Sequence, residues 1–363
     1  MSEFTNKISL LRDLVARHGL DAVLLRRASN FAWITCGASG YINIASSEAE
    51  AYLLVTADRQ FLITNNIEAP RLDKEEALTA QGWEFRVSPW YETRDAIAEL
   101  THGLKTGADV PLPGAVNLME KITHLRAKLT PEEGERFRTL GRLCAQAIET
   151  AARSVRPGHS EHAIASLLAG EAERLGVQAT VNLVATDERI FEFRHPLPSG
   201  KKLSRYAMLV LCGRQKGLVC SITRFVHFGR LPDEIRRKAE AVAQVDAAMI
   251  AATRPGCSLG EIFKRAIEAY AQQGYPDEWK YHHQGGPAGY EPREYIARPD
   301  SVEQVFTGQV YAWNPSITGT KSEDTILVTE NGNEILTSIP GWPAMTVEVD
   351  GGALERPAIL EIT

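Results

Sequence analysis

Arg156-Pro157-Gly158-His159-Ser160 and Arg254-Pro255-Gly256-Cys257-Ser258 carry the same punctuation. In each, proline and glycine stop one helical stretch and a serine starts the next. The helix before the first copy opens on Thr130-Pro131-Glu132-Glu133, a capping box with proline at the first helical position. Phe137, Leu140, Cys144, Ile148 and Ala151 then recur at helical spacing. A second helix runs from about Ser160 to Gly176. The second copy has a helix from about residue 232, then one from Ser258, with Glu261 as its capping partner, to Gly274. Positions 156 and 254 are 98 apart, and so are positions 176 and 274, which makes this an internal repeat. Strand-like segments follow each copy: AMLVLC (207–212) and LVCSITRFVHF (218–228), then QVYAWN (309–314) and DTILVT (324–329). Two such halves about a pseudo-two-fold axis enclose a cleft between their sheets, a natural place for a ligand.

Upstream of the repeat, residues 7–19 read as an amphipathic helix, and DAVLLRR (21–27), AYLLVTA (51–57) and FLITNN (61–66) as strands. VPLPGAV (110–116) favours loops. The expected organisation is α/β (α+β), with an N-terminal domain over 1–125 and a duplicated domain over 126–363. A chain of 363 residues exceeds the roughly 250–300 at which single cores stop growing.

Hydrophobic residues make up 44% and charged residues 24%, ordinary values that exclude disordered and fibrous classes. A net charge of −6 without a Lys/Arg cluster offers no footprint for nucleic acid or an anionic membrane. The first 20 residues alternate charged and apolar types and read as neither signal nor anchor. Five cysteines without a C-x-x-C pair encode no zinc site and fit free thiols in a reducing, cytoplasmic compartment.

LRAKLTPEEGERFR (125–138), RPGHSEHAIA (156–165) and GLDAVLLRRASNFAWITCG (19–37) together resemble the aminopeptidase P, prolidase and creatinase family. The resemblance covers nearly the whole chain. It implies a creatinase-like N-terminal domain and a C-terminal catalytic domain with the duplicated pita-bread fold. Five carboxylate and histidine ligands hold two metal ions in the family's peptidases. Their positions fall here on Val210, Ser221, His283, Asn314 and Glu323, and a further family histidine on Tyr290. Only His283 and Glu323 survive as ligand types, so the formal charge of the set drops from −4 to −1. Two divalent ions need several anionic oxygens. The expectation is therefore no metal and no other cofactor, although one ion on His283 and Glu323, aided by Asp324, is conceivable.

Creatinase, in the same family, hydrolyses a C–N bond without metal through a histidine whose position resembles His195 of Phe193-Arg194-His195-Pro196. An imidazole titrating near neutrality can take a proton from water and return it to a leaving nitrogen. Creatinase's paired glutamates fall on Glu323 and Thr223, which argues against creatine as the substrate. The expected catalytic residues are His195, His283 and Glu323. Arg224, Glu291, Arg293, Asn314, Ser221 and Tyr41 are expected to bind substrate. His227 and His282 read as ordinary structural histidines, and Cys212 and Cys220 as buried thiols.

The resulting expectation is a metal-independent, creatinase-like hydrolase cleaving a C–N bond in a small carboxylate-bearing amino-acid derivative. The alternatives are a metal-dependent Xaa-Pro peptidase, a lyase on the same scaffold, or a non-catalytic metabolite-binding protein. The resemblance further implies a homodimer in which Trp33, Tyr41 and Asn43 approach the neighbouring subunit's cleft.

Overall fold

The structure, a computed structural model, describes residues 2–92 and 95–363. It divides into two compact units, Met1–Ala127 and Lys128–Thr363.

The first unit is a six-stranded sheet in the order Glu84–Ser88, Gln60–Asn65, Glu48–Thr56, Ala22–Arg27, Thr106–Ala108, Val116–Asn117. Its first helix spans Glu3–Arg17 rather than 7–19, because Ser2 caps it by accepting from the Thr5 amide. The chain leaves that helix through Gly19 at φ 62°, a left-handed turn suited to glycine. A polar knot holds the unit's centre. The fully buried Asp109 accepts from the Arg26 and Arg27 amides and from Asn30 Nδ2, at 2.8, 3.0 and 2.8 Å. Both carboxylate oxygens thus have a donor, as burial in low dielectric demands.

In the second unit the repeat is visible bond by bond. Gly158 N donates to Leu203 O at 2.8 Å, and Gly256 N to Val305 O at 2.9 Å. Leu203 N returns to His159 O, and Val305 N to Cys257 O. The two glycines sit at φ 88° and 89°. Each copy contributes a helix pair, Pro131–Ser154 with Glu161–Arg174 and Asp233–Ala252 with Leu259–Gln272.

Both expected capping boxes are present. Thr130 Oγ1 accepts from Glu133 N, and Glu133 accepts from Thr130 N at 2.6 Å. Ser258 and Glu261 repeat the exchange. Glu133 is fully buried, and its other oxygen accepts from Tyr290 Oη at 2.7 Å.

The first sheet orders Leu360–Ile362, Leu218–Phe228, Tyr206–Gln215 and Gln178–Thr186. The second orders Gly285–Ala288, Val310–Trp313, Asp324–Thr329 and Gly332–Ile335. They meet where Thr223 N donates to Glu323 O at 3.2 Å and Ser221 N to Thr325 Oγ1 at 2.9 Å. Behind the second sheet, Tyr311, Trp313 and Ile326 pack with Val245, Met249, Ile262 and Phe263 in one apolar cluster. Among the described residues, no helix is long and apolar enough to cross a membrane.

Candidate active site

The seam between the sheets carries the charged part of the site. Glu323 is 2% exposed, just before the strand Asp324–Thr329. A bare carboxylate there would be costly. Arg293 Nη2 lies 2.9 Å from its Oε1, Lys321 Nζ 2.8 Å from its Oε2, and Thr223 Oγ1 donates to Oε2 at 2.5 Å. Burial pushes the carboxyl up, and Lys321 and Arg293 overcome that and bring it down to about 2. Arg293 also donates to Ser221 Oγ at 3.0 Å, and Ser221 Oγ lies 3.2 Å from Cys212 Sγ. Burial, followed by the Glu323 charge, raises the Cys212 thiol to about 11, so it is no nucleophile.

Three histidines form the second part. His195 lies in the loop after the short helix Arg189–Glu192, and His282 and His283 lie between the turn Glu278–Tyr281 and the strand Gly285–Ala288. His282 Nε2 is 3.0 Å from His195 Nε2, and its Nδ1 is 3.1 Å from Ser316 Oγ. Tyr270 Oη holds Ser316 in turn, accepting from its amide at 2.8 Å and donating to its carbonyl at 3.0 Å. The His283 ring centroid is 5.5 Å from that of His195 and 4.7 Å from that of His282. One ligand-type atom from each ring lies within 4.8 Å of the others.

Burial, then the Lys321 charge, depresses the His195 ring below its ordinary 6.5. Burial and then Lys321 push His282 down to about 2, and burial and then Arg293 push His283 down to about 4. In each ring these influences favour the neutral form. Glu323 acts on each in the opposite direction, so carboxylate and rings share one electrostatic environment.

The other sequence candidates divide. Ser221 and Arg293 join the Glu323 cluster. Asn314 follows the strand Val310–Trp313, 3% exposed, with a buried Oδ1 that lacks a partner among the described residues. Glu291 is half-buried on the loop carrying Arg293. Arg224, expected to hold a substrate carboxylate, is instead committed to protein groups. It pairs with Asp324 at 2.8 Å and donates to the Thr337 carbonyl at 3.0 Å. Asp324 also pairs with Arg356 at 2.7 Å, and Arg356 with Asp246 at 2.6 Å, so Arg224 ends a buried chain of alternating charges.

Glu323, expected among the catalytic residues, has both its oxygens occupied by protein groups and acts as a counter-ion. Tyr41 is half-buried and Asn43 exposed in the first unit. Trp33, at 1% exposure, belongs to that unit's core and has no free face with which to reach outward. His282 and Lys321 are the residues that sequence reasoning passed over. The adjacent pair His282-His283 was the available signal for the first, and a lysine two residues before Glu323 for the second.

The fold and this seam define a pita-bread scaffold with a creatinase-like N-terminal domain. The chain belongs to metallopeptidase family M24, whose model matches residues 135–330, and residues 7–110 match the creatinase/prolidase N-terminal domain. An uncharacterized peptidase of Staphylococcus haemolyticus is 27% identical over 227 residues, 60% of this chain and 64% of that protein. The match thus spans less than two thirds of that relative. A Xaa-Pro dipeptidase of Pyrococcus horikoshii is 22% identical over 93% of this chain and 98% of its own length. In fold, the Xaa-Pro dipeptidase from Bacillus anthracis superposes with a TM-score of 0.81 at 20% identity, covering 99% of this chain and 100% of that one.

The donor set does not fit the two-ion centre that the family name implies. Val210 offers no donor, the Ser221 hydroxyl is engaged by Arg293, and Asn314 is a neutral amide. The surviving carboxylate already carries two protein cations.

Proposed function

We infer that the chain is a hydrolase that opens a C–N bond in a small carboxylate-bearing amino-acid derivative without the family's two-ion centre. The observation that carries this reading is the pairing of Glu323 with Lys321 and Arg293 at 2.8 and 2.9 Å, two fixed cations on the carboxylate that elsewhere would hold metal. The two cations outnumber Glu323 by one charge, an excess that draws an anionic substrate. His195 is the most exposed of the three rings. Its imidazole takes a proton from water as the water oxygen bonds to the substrate carbon, and returns it to the nitrogen as the C–N bond breaks. His282 holds the ring through the 3.0 Å contact.

A metabolite screen with chelator present tests this reading. Turnover that persists with chelator and disappears in His195→Ala supports it, and turnover abolished by chelator sinks it.

A second reading is a metal-dependent Xaa-Pro dipeptidase, and the Pyrococcus horikoshii and Bacillus anthracis relatives favour it by name. Cleavage of Xaa-Pro dipeptides only after metal loading would select it. Either reading has the chain at work in the cytoplasm, as five cysteines without a C-x-x-C pair suggest, and as a homodimer. Light scattering that returned the 40.0 kDa of a single chain would remove the dimer.

A further inference from the structure

The three-histidine cluster has a property that proton handling does not require. Its donors come from two separate segments, yet one atom from each ring lies within 4.8 Å of the others. A tetrahedral ion with bonds of about 2.0–2.1 Å to nitrogen holds its ligands roughly 3.3 Å apart. The 3.0 Å between the Nε2 atoms of His195 and His282 is close to that spacing.

His282 is braced as metal-binding histidines are, with its far nitrogen on Ser316 Oγ and Ser316 clamped by Tyr270. His283 Nδ1 is buried without a hydrogen-bond partner among the described residues. His195 is exposed, which leaves a route from solvent. Three imidazoles with no carboxylate suit zinc, cobalt, nickel or copper and not magnesium or calcium. Only His283 coincides with a ligand position of the family's two-ion centre.

We propose that His195, His282 and His283 bind one divalent ion of the zinc class, and that binding switches the hydrolase off by consuming the ring that must carry the proton. The second half rests on His195 being that ring, as in the function proposed above. The first half does not. Lys321 and Arg293 oppose the ion and Glu323 favours it, so the site is one that fills and empties rather than a permanent structural one.

The full-length, chelator-treated protein titrated with Co2+ should develop the visible absorption of a tetrahedral cobalt centre at one equivalent per chain. Zn2+ should abolish it by displacement. His282→Gln should weaken binding at least tenfold, and Ser316→Ala, which keeps all three ligands, by about 10–100-fold. Circular dichroism checks that both variants fold. The absence of a cobalt spectrum, or unchanged affinity in both folded variants, overturns the site. With a substrate in hand, Zn2+ should inhibit at the midpoint seen in the titration, and chelator should restore turnover. Activation by Zn2+ at that midpoint would overturn the switch and the metal-free reading together while upholding the site.

Discussion

Lys321 Nζ lies 2.8 Å from Glu323 Oε2, in a place where both residues are almost wholly buried. With Arg293 on the other oxygen, the carboxylate is what keeps two cations folded inside the protein. Glu323→Gln should therefore destabilise the chain. The folded carboxyl titrates near 2 against an ordinary 4.5, so its contribution is whole above pH 4.5 and is lost as the pH falls towards 2. That difference corresponds to about 3 kcal/mol. The stability gap between wild type and Glu323→Gln, measured by urea unfolding, should be widest above pH 4.5 and close towards pH 2.

Arg356 is 1% exposed and bridges Asp246 and Asp324. Arg356→Ala leaves two buried carboxylates short of a counter-ion, and losing one partner of such a group costs about 3–5 kcal/mol. Thermal melting should show a large drop. A change within about 0.5 kcal/mol would mean that Arg224 alone serves Asp324 and that Asp246 is protonated.

His195→Ala removes a ring that borders solvent and whose contacts are the other two histidines, so stability should largely hold. Turnover should fall by about 10²–10⁴-fold, the usual contribution of a positioned acid–base group. The loss should appear in kcat rather than KM. Steady-state kinetics on the first substrate found makes this distinction.

Gly285 sits at φ 103°, and a side chain there would run into the carbonyl of Ala312 on the neighbouring strand. Gly285→Ala should cost about 1–3 kcal/mol from backbone strain. It should also move the adjacent His282-His283 pair, so stability and activity should fall together in melting and turnover assays.

The repeat and its caps were legible in the sequence because they depend on local chemistry. Thr130 with Glu133, Ser258 with Glu261, and glycine after each proline act within a few residues of themselves. The departures from the family's ligand types at Val210, Ser221 and Asn314 were legible once the family's motif was in view. The replacement was not. Lys321 reaches Glu323 from the two-residue strand Thr320–Lys321, which forms a tight local hairpin with Ser316–Ile317, and the place of that hairpin beside Glu323 depends on the tertiary fold. His282 was passed over because two adjacent histidines look alike in a sequence, and only the position of Ser316 shows that both serve the cluster. Arg224 was misjudged because its partner Asp324 lies 100 residues away.

The bond from Tyr290 Oη to Glu133 at 2.7 Å ties the first turn of the long helix Pro131–Ser154 to the loop that carries Arg293 three residues later. Glu133 serves two masters with one carboxylate, because it also closes the capping box. Fraying of that helix end and opening of the site loop are thereby coupled into one cooperative unit. The amide protons at the start of the helix and those flanking Arg293 should exchange with solvent at a common opening free energy. A ligand that seals the cleft should slow both, including protons on a helix end it never touches.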